Sequence, residues 1–419
     1  MSKTERMKVM KSLRFIAPLL AAAFVFSGCN IIKVNPERDG AQVVATVYGE
    51  DITKKEVYDL GAMYGYNWTG KIDSWNVQTV QQQKEQMLES VIQQKVMQHV
   101  AKDKGFYNFS DDEQKQIDDY VMTITQDTYD AALAKYQEEA KNDPSINPEE
   151  KANADVDAYL STYGYTRDKL KQEEADSIAQ DKLEKSITDT ITPTDDDIKK
   201  EYDSELAKEQ TDYVTDPTQA VSDDNGSGTV ALAFPADGYI RVRHILIPLP
   251  DDIQSQIATD RSDGNAAEAD KLRDDELAKI KATADDALVK AKAAGGDLAK
   301  LDQLIVDTGN NDPGMDSKPE GYLVVSGTDY YATEFTDAAL KLTDVGVPSE
   351  LVASDFGYHI IWITQKIAKG TTVPLDQVKD KLSDIVKATQ QDTAWSNAIT
   401  GWMSDASGQI QRFTGRLNN

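Results

Sequence analysis

Two of the three histidines in this 419-residue chain sit in short β-type runs: His244 in "GYIRVRHILIPLP" (Gly238 to Pro250) and His359 in "SDFGYHIIWITQ". The third, His99, borders a helical stripe, where a histidine is ordinarily solvated or packed. Histidine serves proton transfer, metal ligation and buried hydrogen-bond networks. The chain's one cysteine, Cys29, lies far upstream, so no thiolate metal site accompanies the pair. Taken by themselves, two strand histidines read most simply as core residues, each needing only a hydrogen-bond partner. What surrounds them decides between that reading and a shared site.

From Gly238 to about residue 370 the pattern runs strand, helices, strand, helix, strand, strand. "YIRVRHILI" is followed by the polar insertion Asp251 to Asn265, a long helix stopping at Gly295-Gly296 and a second helix opened by Asp297. Then come an Asp312-Pro313-Gly314 turn, the strand "EGYLVV", a short helix around Thr333 to Leu342, and the strands "SELVAS" and "YHIIWI". So few apolar segments predict a small sheet with helices packed on it.

Upstream, "AQVVATVYGEDITKKEV" reads as a strand (Val43 to Tyr48), a turn at Gly49 to Asp51 and a helix start. Thr53 with Glu56 has capping-box spacing, as has Ser110 with Glu113. Leu88, Val91, Ile92, Val96 and Val100 recur at helical spacing up to Gly105, a natural residue just past a helix end. Residues 110–208 predict further helices broken at Asn142 to Pro148 and Thr192 to Asp197. The mixed Pro, Gly, Ser and Asp of 215–237 predict a linker. From Leu375 the apolar residues Val378, Leu382, Ile385, Trp395, Ile399 and Trp402 form another helical face, which must be covered; we expect it to pack on the N-terminal helices.

The first residues carry an address. Lys3, Arg6, Lys8, Lys11 and Arg14 precede the apolar run Phe15 to Gly28, which is too short for a membrane span and reads as a secretory signal. It ends in "FSGC", which resembles a bacterial lipobox with Phe26 where leucine is usual; that resemblance implies a diacylglyceryl anchor on Cys29. An exported chain whose cysteine is so used is held together by its core alone. The full chain has a formal charge of −27; beyond residue 28 there remain 40 basic and 71 acidic side chains, a net −31, and such a surface repels nucleic acid.

"RVRHILI", "DPG", "EGYLVV", "TEFTDAALKL" and "SDFGYHIIWIT" occur in the order and spacing of a parvulin-type peptidyl-prolyl isomerase domain. "VATVYGEDITKKEV" with "MLESVIQQKVMQHVAKDKGF" resembles the N-terminal chaperone region of PrsA- and SurA-type foldases. The joint likeness, with the lipobox-like segment in front, covers nearly all of residues 29–410 and is loosest between 115 and 235. It implies an α+β multidomain fold. Residues 1–28 would be the signal, 29–41 a tether, 42–214 a helical chaperone domain, 215–237 a linker and 238–370 an inserted parvulin-like domain with a four-stranded antiparallel-type sheet. Residues 371–419 would be a C-terminal helix completing the chaperone domain.

The same resemblance implies a site. His244 and His359 would meet on neighbouring strands, orienting a hydrogen-bond network rather than relaying protons; Asp312 and Ser354 would complete it. Tyr331 and Phe335, four apart on the short helix, would wall a proline pocket with Leu323 beneath. Tyr331 departs from a frequent methionine, Ala332 from a frequent glutamine, and "PEGYLVV" from a glycine-rich form. The acidic "PLPDDIQSQ" after the first strand argues against selection of phosphoserine-proline. Neither metal nor cofactor is expected, and no P-loop is present for ATP.

The expected function is isomerisation of X-Pro bonds in unfolded exported chains, joined to ATP-independent chaperoning on the outer side of the cell membrane. Room is left for a homodimer. A holdase in which the parvulin-like unit only binds peptide is the alternative. A solute-binding lipoprotein would need two α/β lobes, against which the helical stretch 75–208 argues.

Overall fold

The computed structural model describes residues 36–66, 68, 77–226, 229–309 and 311–417. The expected signal segment 1–28 and Cys29 lie outside them, as does most of the expected tether. Nine strands occur among the described residues: β1 (Val43–Val47), β2 (Glu50–Thr53), β3 (Ala233–Phe234), β4 (Ile240–Pro248), β5 (Tyr322–Val324), β6 (Val352–Ser354), β7 (Gly357–Lys366), β8 (Thr371–Thr372) and β9 (Ile410–Arg412). None of the described helices is long and apolar enough to cross a membrane. The chain forms two compact units, one of residues up to Ile191 and from Gln391 onward, the other Thr192–Gln390.

In the first unit β1 pairs antiparallel with β2 on one side and β9 on the other. The turn expected at Gly49 to Asp51 is one residue earlier and tighter. Tyr48 and Gly49 both take positive φ, 50° and 81°, the two-residue geometry that matches strand twist, so Glu50 and Asp51 already belong to β2. Both expected capping boxes close: Thr53 Oγ1 accepts from Glu56 N–H while Glu56 accepts from Thr53 N–H, and Ser110 with Glu113 does the same. Each such cap is worth about 1 kcal/mol.

The Val77–Asp103 helix lays Leu88, Ile92 and Val96 on Val44, Val47 and Ile52 of the sheet hairpin and Val57 of the Lys54–Met63 helix. Helices Asp111–Ala140, Pro148–Thr162 and Arg167–Thr188 pack through Val121, Val156, Leu160 and Leu170. The helix Leu375–Asp405 contributes Trp395, Ile399 and Trp402 to the cluster of Met97, Ala101, Ala179 and Leu183. His99 stacks on Tyr48 with ring centroids 3.6 Å apart.

The second unit is built on an antiparallel sheet in the order β5-β4-β7-β6. Alternate residues point to opposite faces. Ile245, Ile247, Ile360 and Trp362 meet Ala284, Ala287 and Ala291 of the long Ala266–Ala293 helix and Leu301 and Ile305 of Leu298–Asp307. On the other face Ile240, Val242, Val324, Ile361 and Ile363 meet Phe335 and Ala339 of the Thr333–Lys341 helix.

One expectation needs correction. Residues 215–237 are no linker: they carry the helix Gln219–Asn225 and β3, and Ala220, Val221, Ala231, Leu232 and Phe234 are all buried. Turn-forming residues there alternate with small apolar ones that fill a cluster with Tyr213 and Tyr239. The division between units falls instead before Thr192, just ahead of a helix capped by Thr194 and Asp197. The polar insertion 251–265, for which no element was expected, is mostly a helix, Asp251–Ser262, held by Ile257 against Ala269 and Leu277.

Candidate functional site

β4 and β7 place the two histidines on one face. Leu246 pairs with His359 and His244 with Ile361, so the imidazoles sit diagonally across the strand pair. His244 is 3% exposed and His359 5%. Their Nδ1 atoms are 3.1 Å apart, which requires one to donate and the other to accept.

The flanking bonds fix the direction. At one end His244 Nε2 is 2.8 Å from Asp312 Oδ2, which also accepts from Tyr322 Oη at 2.9 Å, while Gly314 N–H donates to Asp312 Oδ1 at 2.9 Å. At the other end Ser354 Oγ is 2.7 Å from His359 Nε2 and accepts from Phe356 N–H at 3.1 Å. Ser354 is fully buried, so its own hydrogen must go to His359 Nε2. His359 Nδ1–H then donates to His244 Nδ1, and His244 Nε2–H to the Asp312 carboxylate. Every polar atom of the line is satisfied by this one arrangement.

The electrostatics agree with it. Burial opposes ionisation of Asp312, but the hydrogen bond from His244, with those from Tyr322 and Gly314, outweighs it and holds the carboxyl below its usual range. Burial, reinforced by His244, pushes His359 down to about 3. Tyr322 is raised by burial, by the Asp312 charge and by its bond to that carboxylate.

An aromatic cup covers the line. Phe335 meets His244 edge-on at 5.1 Å and His359 at 5.5 Å, and Tyr331 lies 5.9 Å from Phe335 and 5.0 Å from Tyr322. Tyr331 Oη accepts from Asn225 Nδ2 at 2.9 Å, so the segment once read as a linker holds the wall of the cup.

The structure thus brings together His244, Asp312, His359, Ser354, Tyr331 and Phe335. Leu323 is not among them. It pairs with Arg241 on the opposite face of the sheet and joins Tyr213, Phe234 and Tyr239. Tyr322, paired with Val242, takes the place beside His244. A period-two strand read one residue out of register presents the other face, and "GYLVV" offers no polar alternation to fix it. Asn225 and Tyr322 carried no motif that could have marked them. Among the described residues no group of three or more His, Cys, Asp or Glu is placed to hold a metal ion.

A four-stranded antiparallel sheet with helices on both faces and a two-histidine line is the arrangement expected of a parvulin-like domain, and the other unit is mainly helical. The particular proteins that the chain resembles are PrsA foldases, over nearly its whole length. Foldase protein PrsA of Clostridium acetobutylicum is 27% identical over 412 residues, 95% of this chain and 97% of that protein. Its counterpart in Clostridium kluyveri is 26% identical over 411 residues, 94% and 96% of the two chains. No family model matches the chain. The crystal structure of PrsA from Bacillus subtilis aligns at 19% identity over 87% of this chain and 93% of that one, with a TM-score of 0.24; a superposition at that score adds nothing to the fold described above.

Proposed function

We propose that the chain is an exported foldase that turns X-Pro peptide bonds in unfolded polypeptides with its second unit and grips those polypeptides without ATP. The observation that carries this reading is the Asp312–His244–His359–Ser354 line lying under an aromatic cup.

The reaction needs no nucleophile and no cofactor. Planar amide resonance puts negative charge on the carbonyl oxygen and creates a rotation barrier of about 18–20 kcal/mol. Twisting the C–N bond removes that charge. A catalyst has only to bind the twisted amide better than the planar one. Phe335, Tyr331 and Tyr322 offer rings to a pyrrolidine, and Asp312, about a quarter exposed, keeps an anion at the mouth of the cup. An anion beside the carbonyl oxygen disfavours the charge-separated planar form and so favours the twisted one. The two histidines hold Asp312 ionised and aimed, and the whole line works without a proton moving.

The first unit exposes Met63, Tyr64, Met122 and Tyr159, apolar groups suited to weak, ATP-free contact with unfolded chains. Lipidation of Cys29 would place both activities on the outer face of the cell membrane. Slow X-Pro isomerisation, tens to hundreds of seconds uncatalysed, is the step such a protein would relieve. The test is refolding of a denatured protein whose slow phase is prolyl isomerisation. The wild-type chain accelerates the slow phase and suppresses aggregation, and Asp312→Ala suppresses aggregation alone. Suppression without acceleration by the wild type identifies a holdase instead. Metabolic labelling with a radioactive fatty acid, lost in Cys29→Ser, tests the anchor.

A further inference from the structure

We propose that Arg261 is a positioning residue for this site: clamped on Asp355, it holds the turn that sets Ser354 Oγ against His359 Nε2. The inference rests on reading the histidine line as the isomerase centre, and it gives the 251–265 insertion a role.

Arg261 lies in the last turn of the Asp251–Ser262 helix. Its Nε and Nη2 donate to the two carboxylate oxygens of Asp355, Nη2 to Oδ1 at 2.7 Å, and Nη2 also reaches Asp270 Oδ1 at 2.9 Å. Arg273 approaches the same Asp270 oxygen at 3.1 Å. A two-pronged guanidinium–carboxylate pair fixes orientation as well as distance, which a single ammonium contact does not.

What it fixes is the one turn on which the line ends. Asp355 stands between Ser354 and Phe356. Phe356 N–H donates to Ser354 Oγ, and Phe356 C=O accepts from Leu249 N–H at 2.9 Å. The insertion helix therefore reaches His359 through Arg261, Asp355, the Phe356 amide and the Ser354 hydroxyl in turn. Release of Asp355 lets the Phe356 amide swing, the serine hydroxyl lose its direction, and His359 exchange the two positions of its proton.

Arg261 and Arg273 also line a cavity of about 570 Å³ beside Phe356 and the start of the Phe335 helix. Two arginines there could suggest an anion receptor. Both are already engaged by Asp270 and Asp355, Arg273 by Asp274 as well, and Glu334 completes an acidic surround. The charge balance favours a brace.

The experiment uses the full chain labelled with ¹⁵N-histidine, as wild type, Arg261→Ala, Arg261→Lys, and the exchanged pair R261D with D355R. In the wild type, the His359 ring nitrogens report a proton fixed on Nδ1. In Arg261→Ala they move toward the average of both tautomers while the amide spectrum stays folded. Isomerase turnover falls about tenfold with KM within about twofold, as loosened geometry rather than lost binding requires. The lysine variant restores little, and the exchanged pair restores both readouts in part. An unchanged His359 signal in Arg261→Ala overturns the brace. A wild type without isomerase activity whose His359 signal still responds to Arg261→Ala overturns the proposed function and leaves the brace standing.

Discussion

His359 Nδ1 lies 3.1 Å from His244 Nδ1, and only one hydrogen fits between them. A proton added to His359 would have no acceptor, because Ser354 already donates to its other nitrogen. Burial and the neighbouring His244 accordingly push His359 down to about 3. The stability consequence has a definite sign. Below pH of about 6.5 the unfolded chain takes up a proton that the folded one refuses, so this residue's contribution falls with pH by about 1.4 kcal/mol per unit until about 3. NMR titration of His359 should find a neutral ring at pH 4.5; a midpoint near 6.5 would contradict the arrangement.

Glu209 acts in the opposite direction. Burial raises its carboxyl to about 7, against hydrogen bonds from the Leu232 and Ala233 amides, with Asp223 and Glu205 adding to the rise. The folded state keeps a proton that the unfolded state loses near 4.5, so the contribution is full below that pH and is lost as pH rises through 7. Glu209→Gln retains an oxygen for the two amides and cannot ionise. It should therefore raise the melting temperature at pH 8, by the equivalent of about 2 kcal/mol, and change it little at pH 5. Equal shifts at both pH values would show that ionisation is not the cause.

Tyr322 donates to Asp312 at 2.9 Å and helps keep that carboxyl ionised. Tyr322→Phe removes one bond to the charged form, so the Asp312 pKa rises and the acid limb of the isomerase pH profile moves to higher pH. A shift of about half a unit to one unit is expected for a single neutral donor. An unmoved acid limb would mean that Asp312 ionisation does not govern the rate.

Gly357 closes the turn after Ser354 with φ of 139°, and a Cβ there would fall 2.2 Å from the Ile247 carbonyl oxygen. Gly357→Ala has to push β7 off β4 where Gly357 pairs with Pro248, two residues before His359. Loss of more than about 3 kcal/mol in the second unit is expected, read from thermal melting. A melting curve close to wild type would show that the turn relaxes freely.

Much of this was legible in the residues, for reasons that differ by element. The strands bearing His244 and His359 announce themselves by apolar runs bounded by glycine and proline, and the helix starts at Thr53 and Ser110 by their capping partners three residues on. Asp312 was marked by its Pro-Gly turn, where its side chain accepts from Gly314 N–H. Leu323 was misplaced because sheet register is a tertiary property: only pairing with Arg241 turns it away and brings Tyr322 in. The 215–237 segment misled because its glycines and aspartates read as a linker, while the few apolar residues among them are buried by partners near in space. Arg261 carried no local signal at all. Its meaning lies in Asp355, 94 residues away.

The most direct test of the central claim is the cis-to-trans rate of a proline tetrapeptide with the purified chain, beside Asp312→Asn. Asparagine keeps an oxygen for His244 and removes the charge. Acceleration by the wild type that falls at least about tenfold in the variant, with the fold intact, is the predicted result. Equal acceleration by both would contradict a role for the carboxylate charge, and no acceleration by either would leave the histidine line as the buried core of a peptide-binding domain.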